Sequence, residues 1–292
     1  MRVSVLQKIR NNELAKKIFK SKFGKVLRNT FIFRAIEQSV GDWRYPFILF
    51  SWWLAKILVP RRKVKVDGLT FTLSCTNWIT HFRWYLFKEK GPEIRHYIDN
   101  YIDNNDIFFD IGANVGVYSI YAAKRHPGIF IHCFEPEFSN LNALKDNIVS
   151  NGLTKRVKIS SVAIGNFVGL SELHLQNLTT GSAEHTESQD KIANTDGGYP
   201  VVWSEGIFSV TLDYICEQLN VIPNALKIDT DGNEDKILDG AKNILSNKLF
   251  RSLAIEVPDG EKGVYCQNLL KSVGFKRVWS DPKKMNEIWQ RK

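Results

Sequence analysis

The chain has 292 residues, of which 43% are hydrophobic and 24% charged. That suffices for one large α/β domain with a smaller appendage and excludes wholesale disorder. Its four cysteines, Cys75, Cys133, Cys216 and Cys266, form no C-x-x-C pair, so they read as reduced cytosolic thiols rather than a zinc site or a disulfide framework. The net charge of +9 is unevenly spread: residues 1–66 carry 16 Lys and Arg against Glu13, Glu37 and Asp42, a net +13, and the remainder is −4. A mildly acidic main domain lacks the basic groove that nucleic acid needs, so none is expected as a partner.

Residues 1–60 read as helices with basic faces, ended at Pro60. "PFILFSWWLAKILVPRRKVK" sets Trp52, Trp53 and seven aliphatic or Phe residues beside Arg61, Arg62, Lys63 and Lys65. Only 13 residues lie between Pro46 and Pro60, whereas a spanning helix needs about 20. The segment therefore either lies on an anionic membrane surface, as tryptophans with basic groups do, or packs on the main domain. Residues 1–20 have no apolar core of a signal peptide, which implies a cytoplasmic protein, peripheral on the inner membrane face if the basic segment attaches.

The main domain is expected over residues 67–292. "KVKVDGLTFTLS" alternates around Asp67-Gly68, a hairpin signal. Helical spacing follows from Glu93 to Ile102. Next come a strand at Ile107–Ile111, a helix from Val115, a strand at Ile129–Glu135 and a helix through Leu141, Leu144 and Ile148. A third strand is predicted at Val157–Ile164. Thr211–Leu219 reads as helix, Ala225–Asp229 as strand, Glu234–Ser246 as helix and Leu253–Val257 as strand. Such alternation predicts a doubly wound α/β fold with a mostly parallel sheet covered on both faces. Residues 177–200 read as a long polar loop of the kind that serves as a lid.

The first strand runs into "DIGANVG". Gly112 and Gly116 remove side chains where the backbone turns and approaches a ligand. The pattern departs from G-x-G-x-x-G, with Asn114 at the second glycine's place and Asp110 before the first. A carboxylate there disfavours a diphosphate and suits a cationic amino-acid ligand such as S-adenosylmethionine. Glu135 ends the second strand, where a carboxylate accepts hydrogen bonds from both ribose hydroxyls.

"DIGANVGVYSIYAA", "FEPEFSNLNALKDNI", "AIGNFVGLSELHL", "GSAEH" and "LKIDTDGNEDKILDGAKNIL" follow in this order between Trp84 and Val257. Together they resemble the FkbM-type methyltransferases, class I S-adenosylmethionine-dependent enzymes that often methylate hydroxyls of glycans or secondary metabolites. The resemblance implies O-methylation of a glycan or lipid-linked glycan, with a small secondary metabolite as the alternative acceptor and a noncatalytic membrane-associated binding protein of the same fold as the rival reading. It places Asp110, Gly112, Ala113, Asn114, Gly116 and Glu135 on cofactor positions, and Ala163 and Ile164 at the adenine edge. Residues 1–60 have no counterpart in it.

Methyl transfer to an alcohol is a displacement governed by positioning, with a proton to remove. Asp229, Asp231 and Glu256 fall at strand ends on the carboxyl edge of the sheet, where open α/β folds bind ligands. Asp229 is the candidate base or substrate clamp. With Asp231 and Glu256 it is also a weak candidate set for a divalent metal; alternatively Asp231 and Glu234 cap the next helix. His185, in "GSAEH", is a second candidate base, whereas His132 reads as structural, His126 as part of a turn before Pro127 and His174 as part of a hairpin. Arg83, in "HFRWYLFKEKGPE", either holds an anionic or sugar-bearing acceptor or is a surface charge.

Overall fold

The computed structural model describes residues 61–89, 91–183, 185–188, 195–196, 199–281 and 286–291, with Phe50, Ser51, Trp53, Leu54 and Leu58. The chain divides into two compact units, Met1–Pro60 and Arg61–Lys292. Of the first unit the described residues are helical, and Phe50, Trp53, Leu54 and Leu58 are exposed. The expected helices over residues 1–49 lie outside the described residues. Among the described residues no helix is long and apolar enough to cross a membrane.

The second unit begins earlier than the sequence suggested. Strand β1 (Arg61–Val66) pairs along its whole length with β2 (Leu69–Ser74), so the basic run Arg61–Lys65 belongs to this unit. Asp67 and Gly68 both take positive φ, 48° and 76°, as a two-residue hairpin loop requires. Helix α1 (Trp78–Tyr85) follows, opened by a reciprocal cap in which Asn77 and Thr80 bond each other's backbone amides. Helix α2 (Pro92–Tyr101) buries Ile94, Tyr97 and Ile98, three of the four residues whose helical spacing marks it, and leaves the fourth, Tyr101, half-buried.

The alternating region then unfolds as β3 (Ile107–Ile111), α3 (Val117–Arg125), β4 (Phe130–Phe134), α4 (Phe138–Ser150) and β5 (Val157–Ser160). Beyond it lie β6 (Ala163–Gly165), β7 (Gly169–Leu175), β8 (Thr186–Ser188), β9 (Thr195–Asp196), β10 (Tyr199–Pro200) and β11 (Trp203–Thr211). The chain ends with α5 (Leu212–Leu219), β12 (Ala225–Ile228), α6 (Glu234–Asp239), α7 (Lys242–Ser246), β13 (Ser252–Glu256), α8 (Glu261–Ser272), β14 (Phe275–Ser280) and β15 (Asn286–Arg291).

The main sheet has seven strands in the order β14-β15-β13-β12-β3-β4-β5. Five are parallel, from β13 to β5, and β15 enters antiparallel between β13 and β14. Strand order reverses between β3 and β12, which makes the crevice at their carboxyl ends the switch point of the fold. Both faces are covered. Phe108 joins a core with Ile98, Ile120 and Ile131, while its neighbour Phe109 joins the opposite core with Leu226, Leu253 and Trp289.

Three expectations change. The third strand stops at Ser160, and Ala163–Gly165 leaves the main sheet to pair in parallel with β11. The helix over 234–246 divides at Gly240, whose Cβ position would sit 2.1 Å from the Gly165 carbonyl oxygen, so β6 presses directly on the chain there. Part of the expected loop at 177–200 forms β8, the edge of a second sheet ordered β6-β11-β7-β8.

Candidate active site

The glycine turn is held by backbone geometry. Gly112 and Ala113 both donate to the Phe134 carbonyl, at 3.0 and 3.1 Å. Gly112 takes φ 72°, and a Cβ there would lie 1.9 Å from the Asp229 carbonyl oxygen, so only glycine lets β3 and β12 end this close together. Gly116, at φ 80°, opens α3, and a Cβ would strike Leu144 at 2.3 Å. Asn114 also has positive φ, which aims its amide at Glu135.

Glu135 is 5% exposed. One carboxylate oxygen accepts from Asn114 N–H at 2.7 Å and the other from Glu137 N–H at 3.1 Å. Burial pushes its carboxyl up to about 7, against those backbone bonds. It borders a cavity together with Gly112, Asn114, Ala163, Ile164 and Asp229. Ala163 and Ile164 thus reach the cavity from a separate strand rather than from the end of the third.

Gly181, Ser182, Ala183 and His185, from the "GSAEH" stretch, form a strap along this cavity and are held on both sides. Gly181 N–H donates to Asn140 Oδ1 at 2.6 Å, and Asn114 Nδ2 donates to the Ser182 carbonyl at 2.7 Å. From the other side Asn77 Nδ2 donates to Thr180 O at 3.0 Å and Arg83 Nε to Gly181 O at 2.5 Å. His185 lines the cavity, its Nε2 3.1 Å from Ser182 Oγ. Beyond the strap an open groove is lined by Trp78, Phe82, Arg83 and Asn177, and it shares Ser182 and Ala183 with the cavity.

Asp110 does not face the ligand space as expected. It is 1% exposed, with one oxygen 3.0 Å from Lys227 Nζ and the other accepting from Ser119 Oγ at 2.5 Å. Asp110 and Lys227 are register partners across β3 and β12, and strand alternation turns both toward the side that carries Phe108. The Asp110 charge is therefore neutralised inside the fold and fixes the turn from behind.

Lys227 was missed from sequence. It is 2% exposed, and its ammonium also reaches Gly112 O at 3.1 Å and Asp229 Oδ2 at 3.4 Å. Burial opposes its charge, but Asp110 and Asp229 outweigh burial and raise its pKa.

Asp229 lines the cavity with its side chain 39% exposed. Burial pushes its carboxyl up, yet Lys227, a hydrogen bond with Glu256 and Arg83 together hold it below the usual range. Glu256 rises to about 8, through burial and then the neighbouring Asp229. Oxygens of Asp229, Asp231 and Glu256 come within 4.8 Å of one another. The trio is compact enough for a hard cation, but Lys227 already stands on Asp229. Arg83 is half-buried, and its pKa falls through burial, against the attraction of Asp229, Asp231 and Glu135.

Glu234 organises the turn before α6, accepting from Thr230 N–H at 3.0 Å and Gly232 N–H at 3.3 Å. His132 is structural: it stacks on Phe134 and bonds Ser160 Oγ at 2.8 Å, and burial lowers its pKa to about 4. His126 contacts Ile98 O and His174 contacts Ser204 Oγ, both away from the cavity.

The unit is thus a doubly wound, Rossmann-like α/β fold with a buried strand-end carboxylate beside a cavity at its switch point. The chain belongs to the FkbM methyltransferase family: residues 110–273 match the model of the methyltransferase FkbM domain. The 31-O-demethyl-FK506 methyltransferase FkbM of Streptomyces tacrolimicus is 26% identical over 170 residues, covering 51% of this chain and 64% of that relative. The chain thus matches just under two thirds of the relative's length. Similar solved structures include the precorrin-6y C5,15-methyltransferase of Geobacter metallireducens GS-15 (12% identity, 70% of this chain and 88% of that one, TM-score 0.41). Another is TYW2 of M. jannaschii in complex with AdoMet (10% identity, 80% and 87%, TM-score 0.39).

Proposed function

We propose that the protein is an S-adenosylmethionine-dependent O-methyltransferase acting on a hydroxyl of a glycan or glycolipid. The observation that carries this reading is the pairing of a cavity bearing Glu135 with a neighbouring groove across one shared strap. S-adenosylmethionine, when bound, supplies a methyl carbon activated by its sulfonium. Glu135 would hold the ribose hydroxyls, Asn114 and Gly112 would shape the turn, and Ala163 and Ile164 would border the adenine. The strap excludes water from the reacting groups and leaves the acceptor an approach from the groove.

Asp229 is the group best placed to accept the acceptor's hydroxyl proton. It is a weak base in the resting protein because Lys227 and Arg83 stabilise its anion. It therefore stays ready to accept a hydrogen bond from the hydroxyl and to take up the proton as the oxygen gains its methyl. His185 stands on the strap as the alternative acceptor of that proton. The oxygen-directed activity in the Streptomyces relative's name supports O-transfer, and FK506 in that name favours a second reading in which the acceptor is a small metabolite.

The basic first unit, with Phe50, Trp53, Leu54 and Leu58 exposed, would hold the enzyme on an anionic membrane surface near a lipid-carried acceptor. The test is incubation of the purified chain with methyl-labelled S-adenosylmethionine and either lipid-linked glycans or small-metabolite extracts of the host. Label in an alkali-stable ether on a glycan is expected. Label only in small metabolites would favour the second reading, and label in neither would refute both.

A further inference from the structure

Helix α1 is amphipathic the wrong way round for a helix that serves only to pack. Thr80 is its buried residue, while Trp78, Phe82 and Tyr85 are 69%, 42% and 66% exposed. These three positions fall on one helical face. The reciprocal Asn77–Thr80 cap and the Trp84 indole, which donates to Lys63 O at 3.0 Å, fix that face in place. Trp78 and Phe82 border the groove beyond the strap. Gln176, Asn177 and Arg83 add polar groups to a wall that also includes Ile79, Ala183 and Pro200.

We infer that this groove is the acceptor subsite, and that Trp78 and Phe82 form a stacking platform for a pyranose ring. The inference rests on the methyl-transfer reading above. A sugar ring presents an apolar C–H face to an aromatic ring and hydroxyls at its edge to amides and a guanidinium. The groove offers both kinds of partner side by side. An apolar metabolite would leave the amide wall unused. A membrane surface would call for cations among Trp78, Phe82 and Tyr85; α1 carries one Arg, whose Nε donates to the Gly181 carbonyl, and Arg62 stands over the half-buried Trp84 instead. The groove also meets the donor cavity at Ser182 and Ala183, so a ring on the platform lies one strap away from Asp229.

The experiment is saturation-transfer NMR on the full chain, with and without S-adenosylhomocysteine. The probes are methyl pyranosides of glucose, galactose, mannose, rhamnose and fucose. Transfer to the ring C–H protons of at least one glycoside is expected, falling about fivefold or more in Trp78→Ala and Phe82→Ala and largely kept in Trp78→Tyr. Affinity for S-adenosylhomocysteine should stay within about twofold in all three variants, which shows that they fold and that the donor site is separate. No transfer from any glycoside, or equal transfer in Trp78→Ala, overturns the inference. So does a loss of sedimentation with phosphatidylserine vesicles in Trp78→Ala while glycoside transfer persists, which would assign the face to a membrane. A wild-type chain that binds glycosides but not S-adenosylhomocysteine would refute the methyl-transfer reading and leave the sugar platform standing.

Discussion

Replacing Lys227 with Met is the sharpest perturbation of the wedge between the two central strands. The ammonium is 2% exposed and lies 3.0 Å from Asp110 and 3.4 Å from Asp229. Asp110 is 1% exposed, with Ser119 as its other partner. Removing the cation leaves a buried carboxylate without its counter-charge, which costs about 3–5 kcal/mol. At roughly 2–4 °C per kcal/mol for a unit of this size, the midpoint of thermal unfolding should fall by roughly 6–20 °C. Met matches the Lys stem in length, so the loss reports charge rather than a cavity. Adding Asp110→Asn should return most of the lost stability, because the uncompensated charge is then gone. Calorimetric or circular-dichroism melts of the wild type, Lys227→Met and the double variant decide it. A single variant within about 1 kcal/mol of wild type, or a double variant no better than the single, would refute the charge-pair reasoning.

Three further outcomes follow from the same geometry. Glu135 has its folded pKa raised to about 7, so its contribution to stability is present at low pH and lost as pH rises from about 4.5 through 7. Donor affinity should move the other way and increase across pH 6–8 as the carboxylate forms, which titrations at several pH values would reveal; a flat profile would remove Glu135 from the ribose. Asp229→Asn and His185→Ala should lower turnover while changing donor affinity by less than about threefold, and full turnover in both would assign the proton to another group. The intact chain should sediment with anionic vesicles, more weakly as salt rises, and lose this on deletion of residues 1–60. Indifference to such vesicles at low salt would make that segment a packing or oligomerisation element.

The parts of the fold that were legible in the sequence are those where one local rule suffices. β3 lies where a short apolar run meets a glycine turn, and α2 where Ile94, Tyr97 and Ile98 recur at helical spacing. The second sheet was less visible, because β7 and β11 pair across the long segment between Leu175 and Trp203 and neither strand announces its partner. The antiparallel insertion of β15 is likewise a matter of topology rather than periodicity.

At the site, Glu135, Asp229 and His185 converge on one cavity, as their positions on strand ends and the strap suggested. Asp110 was legible as a strand-end acid but not in its direction. The parity of the pleat and Lys227 on the adjacent strand decide where its carboxylate points. A signal for Lys227 was present: a lysine between Leu226 and Ile228 in a short buried strand needs a carboxylate in register, and Asp110 is the acid at the matching place on the neighbouring central strand. The strap's role needed three dimensions, since Asn77 and Arg83 of α1, Asn114 of the glycine turn and Asn140 of α4 come from three separate parts of the chain to hold three consecutive residues.

The central claim is that the cavity beside Glu135 holds the methyl donor, and isothermal titration calorimetry tests it most directly. S-adenosylmethionine and S-adenosylhomocysteine should each bind the wild-type chain at one site. Glu135→Ala should weaken both by roughly 1.5–3 kcal/mol, the scale of hydrogen bonds to a charged group. Absence of binding in the wild type, equal affinity in the variant, or selective binding of NAD instead would contradict the account.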